Sequence, residues 1–373
     1  LETTKIDKYF MKRAIHLARK GTGWVNPNPL VGAVLVNNGM VIGEGWHEFY
    51  GGPHAEVVAI RKAEVNHPDQ IEGSTLYVTL EPCNHEGKTP PCTDLIIERK
   101  IGRVVTGIRD PNRSVAGNGI EMLIKNGISV DTGILESEIL LLNRIFLKYI
   151  TTGMPYVVFK SAMTLDGKIA TVTNASKWIT GEKSRKTVHL LRHELSAVLV
   201  GVGTILADNP QLNIRLKGDF HAPLKIIADS SLRIPPESAV LTKDPQLTLI
   251  ATTKRADPEK VKMLERSGTQ VMICPEKDGM VDLSYLFRAA GAMGIDSILL
   301  EGGSTMAFSA LKEGLVDKIL TFVAPKLLGG ASAPSPVGGT GIPFMEDAVT
   351  LQNMKVSRSG DDVLIEAEVV KSE

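Results

Sequence analysis

His54-Ala55-Glu56, then Pro82-Cys83 and, nine positions on, Cys92 constrain this 373-residue chain more than any other feature. One imidazole and two thiolates suit zinc, and three protein ligands leave a fourth position for water, as a catalytic rather than a structural site does. Zinc lowers the pKa of such a water to about 7. Glu56 stands two residues after His54 at an expected helix start, where a carboxylate can take the water's proton and pass it to a leaving amine. Cys83 and Cys92 both fall where a strand is expected to end and a helix to begin, and a helix N-terminus there favours thiolate over thiol. Such a fold must bring helix starts to strand ends, which an alternating α/β unit does. Two other readings stay open on these residues. His85 could complete a closed Cys2His2 structural site, or the two cysteines could be buried without a ligand.

The hydrophobic pattern alternates in the way such a site demands. Phe10, Ala14, Leu17 and Ala18 share one helical face after a capping box at Thr4-x-x-Asp7. Val31–Val36 and Val41–Trp46 read as strands around the turn Asn37-Asn38-Gly39. A helix over Ala55–Lys62, a buried strand over Leu76–Leu80, and further helices and strands lead to a closing helix over Glu136–Tyr149. Thr151-Thr152-Gly153-Met154-Pro155 is a natural boundary. It separates an expected first domain, 1–150, from a second α/β domain, 151–373. The second has strands over Tyr156–Ser161, Ala197–Gly201, Lys225–Asp229, Leu247–Ala251, Gln270–Ile273, Ser297–Leu300 and Lys318–Val323. It ends in an antiparallel strand over Val363–Val370. Gly329–Gly341 reads as a long loop.

Composition narrows the partners. Lys+Arg and Asp+Glu are both 42, so the formal net charge is zero. That argues against a nucleic-acid partner, which is normally met by a basic excess. No apolar run approaches the ~20 residues that span a bilayer, and no signal peptide is visible. Three cysteines are too few for a disulfide framework, and a cytoplasmic location is expected. Cys274, alone on a strand, reads as core packing.

The order H-x-E, then P-C, then a second Cys is similar to that of zinc deaminases, with Glu as acid/base rather than ligand. Their usual P-C-x-x-C is here P-C-x8-C. Asn28-Pro29-Leu30-Val31-Gly32-Ala33-Val34, His54-Ala55-Glu56, Glu81-Pro82-Cys83-Asn84-His85-x-Gly87-Lys88-Thr89-Pro90-Pro91-Cys92 and Asp110-Pro111-Asn112 carry a sharper resemblance. So do Leu165-Asp166-Gly167-Lys168, Ser176-Lys177-Trp178-Ile179-Thr180, Val202-Gly203-Thr204, Ala207-Asp208-Asn209-Pro210 and Glu301-Gly302-Gly303-Ser304. Over nearly its whole length the chain resembles the bifunctional riboflavin-biosynthesis deaminase/reductases.

The resemblance implies an α/β fold of two parts: an N-terminal cytidine-deaminase-like αβα sandwich and a C-terminal dihydrofolate-reductase-like α/β domain. It implies hydrolysis of the 2-amino group of 2,5-diamino-6-ribosylamino-4(3H)-pyrimidinone 5′-phosphate, then NADPH-dependent reduction of the ribosyl group to a ribityl chain. Zinc falls on His54, Cys83 and Cys92, with Glu56 as proton donor. Contacts to the deaminase substrate fall on Asn28, His47, His85, Lys88, Asp110 and Asn112. Lys88 and the imidazoles are the cationic candidates for its phosphate.

In the second domain no G-x-G-x-x-G opens a helix after a strand, so the Rossmann fingerprint is absent. Ser297 to Thr305 instead reads as a buried strand, two glycines and a helix start, where a cofactor pyrophosphate can lie. By the resemblance, NADPH contacts fall on Met163, Trp178, Thr204, Asp208, Gly303, Ser304 and Thr305. Substrate contacts fall on Ser176, Arg192, Leu212, Arg215 and Glu301. Two arginines suit bidentate binding of a ribose phosphate. Lys160 and Asp208 are candidates for delivering the proton. The partner implied is a small phosphorylated pyrimidine, with neither nucleic acid nor membrane, and the family tends to associate through the reductase half. Two other functions remain to be separated: a nucleic-acid base deaminase with an RNA-binding second half, and a non-catalytic zinc-stabilised binding module.

Overall fold

The computed structural model describes residues 5–84, 90–111 and 117–371. The chain divides into two compact units, Leu1–Gly153 and Met154–Glu373. No helix among the described residues is long and apolar enough to cross a membrane.

The first unit runs α1 (Lys5–Ala18), β1 (Gly32–Asn37), β2 (Met40–Trp46), α2 (Ala55–Asn66), β3 (Thr75–Leu80), α3 (Cys92–Glu98), β4 (Arg103–Ile108), α4 (Asn118–Lys125), β5 (Ser129–Asp131), α5 (Glu136–Leu142) and α6 (Arg144–Thr152). Its sheet has the order β2-β1-β3-β4-β5. β1 is antiparallel to both neighbours, while β3, β4 and β5 are parallel. The two central parallel strands are buried almost throughout, which is why they read as continuous apolar runs rather than alternating ones. On α1, Phe10, Met11, Ala14, Leu17 and Ala18 are buried, the face that the periodicity marks. Thr4 lies outside the described residues. Asp7 accepts from the Tyr77 hydroxyl at 2.9 Å and from Arg103 at 2.9 and 3.2 Å.

Two strand positions must lack a side chain. A Cβ on Gly43 would stand 2.1 Å from the Ala59 carbonyl oxygen, and one on Gly45 2.4 Å from that of Ala55. Both contacts are impossible, so the bare backbone of β2 lets α2 lie directly on the sheet.

The closing helix expected over Glu136–Tyr149 is instead two helices, with Asn143 between them. The cause is a distant contact. Buried Asn143 accepts from Leu30 N at 2.8 Å and donates to Leu30 O at 3.1 Å. A continuous helix would give up that pair.

The second unit runs β6 (Tyr156–Thr164), α7 (Glu182–Glu194), β7 (Ala197–Gly201), α8 (Val202–Asp208), β8 (Leu224–Ala228), α9 (Ala239–Thr242), β9 (Thr248–Thr252), α10 (Pro258–Arg266), β10 (Gln270–Ile273), β11 (Glu276–Lys277), β12 (Met280–Val281), α11 (Leu283–Ala292), β13 (Ser297–Glu301), α12 (Ser304–Lys312), β14 (Lys318–Ala324), β15 (Leu351–Ser359) and β16 (Asp362–Val369). Its main sheet has the order β10-β9-β8-β7-β13-β6-β14-β16-β15. Strands β10 through β14 in that order are parallel, and β16 and β15 close the edge antiparallel. Asp257 and Asp282 cap α10 and α11 by accepting from Glu259 N at 3.0 Å and Tyr285 N at 2.9 Å, the role short acidic side chains play at helix starts. The segment 325–344 has no regular structure. β15, α8 and the β11–β12 hairpin are elements that the pattern did not announce.

Candidate metal centre and cofactor cavity

His54 caps α2, Cys83 follows β3, and Cys92 opens α3. Their ligand atoms all lie within 4.8 Å of one another. His54 Nδ1 is 3.3 Å from Cys92 Sγ and 3.4 Å from Cys83 Sγ. The helix-start N–H of Cys92 donates to Cys83 Sγ at 3.3 Å. The helix start therefore favours the thiolate of Cys83, not that of Cys92 as well. The Cys92 thiol's hydrogen bond, opposed by burial and helped by His54, holds Cys83 down to about 4. Cys92, giving that bond and buried, is pushed up. The Cys83 bond raises His54 to about 9. One imidazole nitrogen and two sulfurs converging this closely fit a zinc ion. Both sulfurs belong to free cysteines.

Glu56 lies in the first turn of α2, and only 4% of it is exposed. Burial pushes its carboxyl up, against the pull of His54. A carboxyl raised in this way can hold a proton nearer neutral pH, as an acid/base must.

Around this centre, His47 Nδ1 is 3.1 Å from the Pro53 carbonyl oxygen, and His47 Nε2 is 3.1 Å from Asn28 Nδ2. A carbonyl only accepts, so Nδ1 carries the proton and Nε2 takes the Asn28 amide. Burial also lowers the His47 pKa. Both ring nitrogens of His47 are thus engaged within the protein. Asp110 follows β4, and its N–H is bound by Glu81 Oε2 at 3.1 Å. His85, Lys88 and Asn112 lie outside the described residues.

In the second unit, a cavity of about 1650 Å³ opens beyond the C-terminal ends of β6, β7, β8 and β13. Ligands of open parallel sheets bind at such ends. Ser176, Arg192, Leu212, Arg215 and Glu301 all line it. So do Trp178, Thr204, Asp208, Gly303, Ser304 and Thr305. Met163 does not. It pairs in register with Val323 of β14, and the β6 residues that line the cavity are Phe159, Lys160, Ser161 and Ala162.

Glu301 is a buried charge of the cavity. Arg192 grips it through Nε–Oε1 at 2.7 Å and Nη2–Oε2 at 3.1 Å, and gives Nη1 to Asn213 O at 2.9 Å. Lys160, its register partner on β6, reaches Oε2 at 3.2 Å. Burial pushes Glu301 up, but Arg192 and Lys160 outweigh it and hold the carboxyl down to about 2. The Nε–Nη2 edge of Arg192 is therefore engaged by Glu301 and is not open to a phosphate. Arg215 is exposed and lines the same cavity.

Ser176 donates to Asp208 Oδ1 at 2.9 Å, so these two meet. Trp178 is 60% exposed with Arg185 4.7 Å above its ring. Gly302 and Gly303 both have positive φ, 72° and 78°, the conformation that glycine alone takes without strain. Asp166 accepts from Leu328 N and Gly329 N at 3.1 and 2.6 Å, clasping the segment whose Pro334 and Pro336 reach the cavity. His189, which carries no motif in the sequence, also lines this cavity. It sits one turn before Arg192 on α7.

Residues 4–108 match the family described as the cytidine and deoxycytidylate deaminase zinc-binding region. Residues 155–365 match the RibD C-terminal domain. The chain is 46% identical to the riboflavin biosynthesis protein RibD of Actinobacillus pleuropneumoniae, covering 98% of this chain and 96% of that one. It is 38% identical to RibD of Escherichia coli strain K12, with 96% and 98% covered. Among solved structures it superposes on Acinetobacter baumannii RibD, form 1, with a TM-score of 0.89 at 35% identity, covering 98% and 99% of the two chains. It also superposes on the Thermotoga maritima diaminohydroxyphosphoribosylaminopyrimidine deaminase/5-amino-6-(5-phosphoribosylamino)uracil reductase, with a TM-score of 0.85 at 40% identity and the same coverage. A zinc-fitting triad in one half, a large strand-end cavity in the other and likeness over nearly the full length agree: this chain belongs to the RibD family of riboflavin biosynthesis, bifunctional enzymes that join a zinc-dependent deaminase to an NADPH-dependent reductase.

Proposed function

We propose that His54, Cys83 and Cys92 hold zinc, and that Glu56 moves the proton in deamination of the diaminopyrimidinone ribosyl phosphate. The convergence of those three donors beside a buried carboxyl carries this reading. Bound there, zinc supplies a water acidified to about neutral pH. Glu56, buried beside these ligands, would hold and move the proton between the attacking water and the departing amine, shielded from bulk solvent. His47 orients Asn28 by taking its Nδ2 amide, which leaves Asn28 Oδ1 to accept from a ring N–H. Asp110 offers a second acceptor. His85, Lys88 and Asn112 are assigned to the substrate on the sequence motif alone, with Lys88 as the phosphate's cation.

In the second unit, NADPH would supply the hydride when bound. Thr204, Asp208, Gly303, Ser304 and Thr305 bind it, with Trp178 as an apolar wall. Ser176, Leu212, Arg215 and the Arg192–Glu301 pair hold the reductase substrate. Arg215 is the cation for its phosphate. Lys160, held against Glu301, is the better placed of the two proton-delivery candidates, because Asp208 is engaged by Ser176.

Association through the reductase half is supported by β15. This edge strand leaves Leu351, Met354 and Val356 exposed, and an exposed apolar edge invites pairing. A reducing cytoplasm suits a site with two free thiols. The test is metal analysis combined with NADPH oxidation and ammonia release on the diaminopyrimidinone phosphate. Ammonia release from a protein free of transition metal would overturn the reading.

A further inference from the structure

Glu81 is buried, with 4% exposure, two residues before the ligand Cys83. None of its carboxylate's hydrogen bonds is to the metal triad. Its carboxylate instead collects four backbone N–H groups: Asp110 and Gly117 on Oε2 at 3.1 and 3.0 Å, Gly119 and Ile120 on Oε1 at 3.1 and 3.2 Å. Its own N–H donates to Ile108 O at 3.0 Å, extending the β3–β4 ladder to the point where Asp110 leaves it. The approach of α4 is equally close. A Cβ on Gly119 would stand 2.0 Å from Pro82 O and 3.3 Å from Glu81 Oε1. One side chain thus joins the Pro82-Cys83 segment to the backbone of Asp110 and to the start of α4.

Hydrogen bonds from four amides suit an ionised carboxylate, which accepts at both oxygens and donates at neither. A carboxamide of the same shape would turn an N–H against two of the four amides. We infer that Glu81 is a positioning residue of the deaminase, setting Asp110 relative to the metal ligands so that its carboxylate meets the pyrimidine. The inference rests on the assignment of Asp110 to the substrate given above.

The experiment is a double-variant cycle on the full chain loaded with zinc. Deaminase kcat and KM are measured on the diaminopyrimidinone phosphate, and zinc stoichiometry by atomic absorption. D110A raises KM, and E81Q raises it by about tenfold with kcat within roughly threefold and zinc retained, the signature of lost uniform binding. The pair E81Q/D110A is no worse than D110A alone, because Glu81 acts through Asp110. If D110A leaves KM unchanged, the assignment of Asp110 falls, and this inference with it. If D110A raises KM while E81Q does not, or if the two effects multiply, only the inference falls. Should E81Q lose zinc or fail to fold, E81D takes its place in the same cycle. Zinc loss in E81D as well would make Glu81 a brace of the metal loop and overturn the positioning role.

Discussion

Arg192 and Glu301, 109 residues apart, meet in the reductase cavity through two parallel hydrogen bonds of 2.7 and 3.1 Å, with both side chains about nine-tenths buried. Removing Arg192 leaves Glu301 only Lys160 as a partner, so the cost is at most the about 3–5 kcal/mol of a broken buried pair. Arg192→Ala should therefore lower stability by up to that amount in urea titrations and abolish reduction. An unchanged urea midpoint would show that the pair contributes nothing to folding.

The same pair predicts a pH window. The folded carboxyl of Glu301 sits at about 2, below its ordinary value of 4.5. A depressed carboxylate stabilises the fold fully above its unfolded pKa and loses that contribution as pH falls from about 4.5 towards 2, roughly 3 kcal/mol in all. Glu301→Gln should be destabilised at pH 7, and its deficit against the wild type should close across that window. A deficit independent of pH would contradict the assignment.

Glu56→Gln keeps the volume and removes the proton relay. Deaminase kcat should fall by about 10²–10⁴-fold, while zinc content and NADPH oxidation on a supplied deaminated substrate stay near wild type. Full turnover in this variant would remove Glu56 from the mechanism.

His54→Ala, or treatment with a strong chelator, should strip zinc and end ammonia release. Reduction of the deaminated intermediate should persist, because none of the cavity residues belongs to the triad. Parallel loss of both activities in a folded protein would show the two sites to be coupled.

Asn143→Ala removes the partner of the part-buried N–H and C=O of Leu30. About 2–3 kcal/mol should be lost, and KM of the deaminase should rise, since Asn28 lies two residues from Leu30. A KM equal to the wild type would confine Asn143 to stability.

Much of this architecture was legible. The helices and parallel strands carry their periods openly, and the metal triad announces itself because few residue types bind zinc. What escaped depends on contacts between distant segments. Nothing near Asn143 signals a helix break, since its cause is Leu30, 113 residues away. Glu81 stood inside a quoted motif, yet its four amides arrive from a separate stretch of chain. Arg192 looked like a free cation until the fold set Glu301 against it. β15 is exposed at all but its last residue, so no alternation of buried and exposed positions marks it as a strand.

Gly45 has no functional group, yet the carbonyl of Ala55, the residue between His54 and Glu56, rests where its side chain would be. One methyl group there would force the helix bearing both a ligand and the proton carrier off the sheet. The deaminase thus depends on an emptiness in β2: its sharpest vulnerability is a hydrogen atom on a residue that touches neither metal nor substrate.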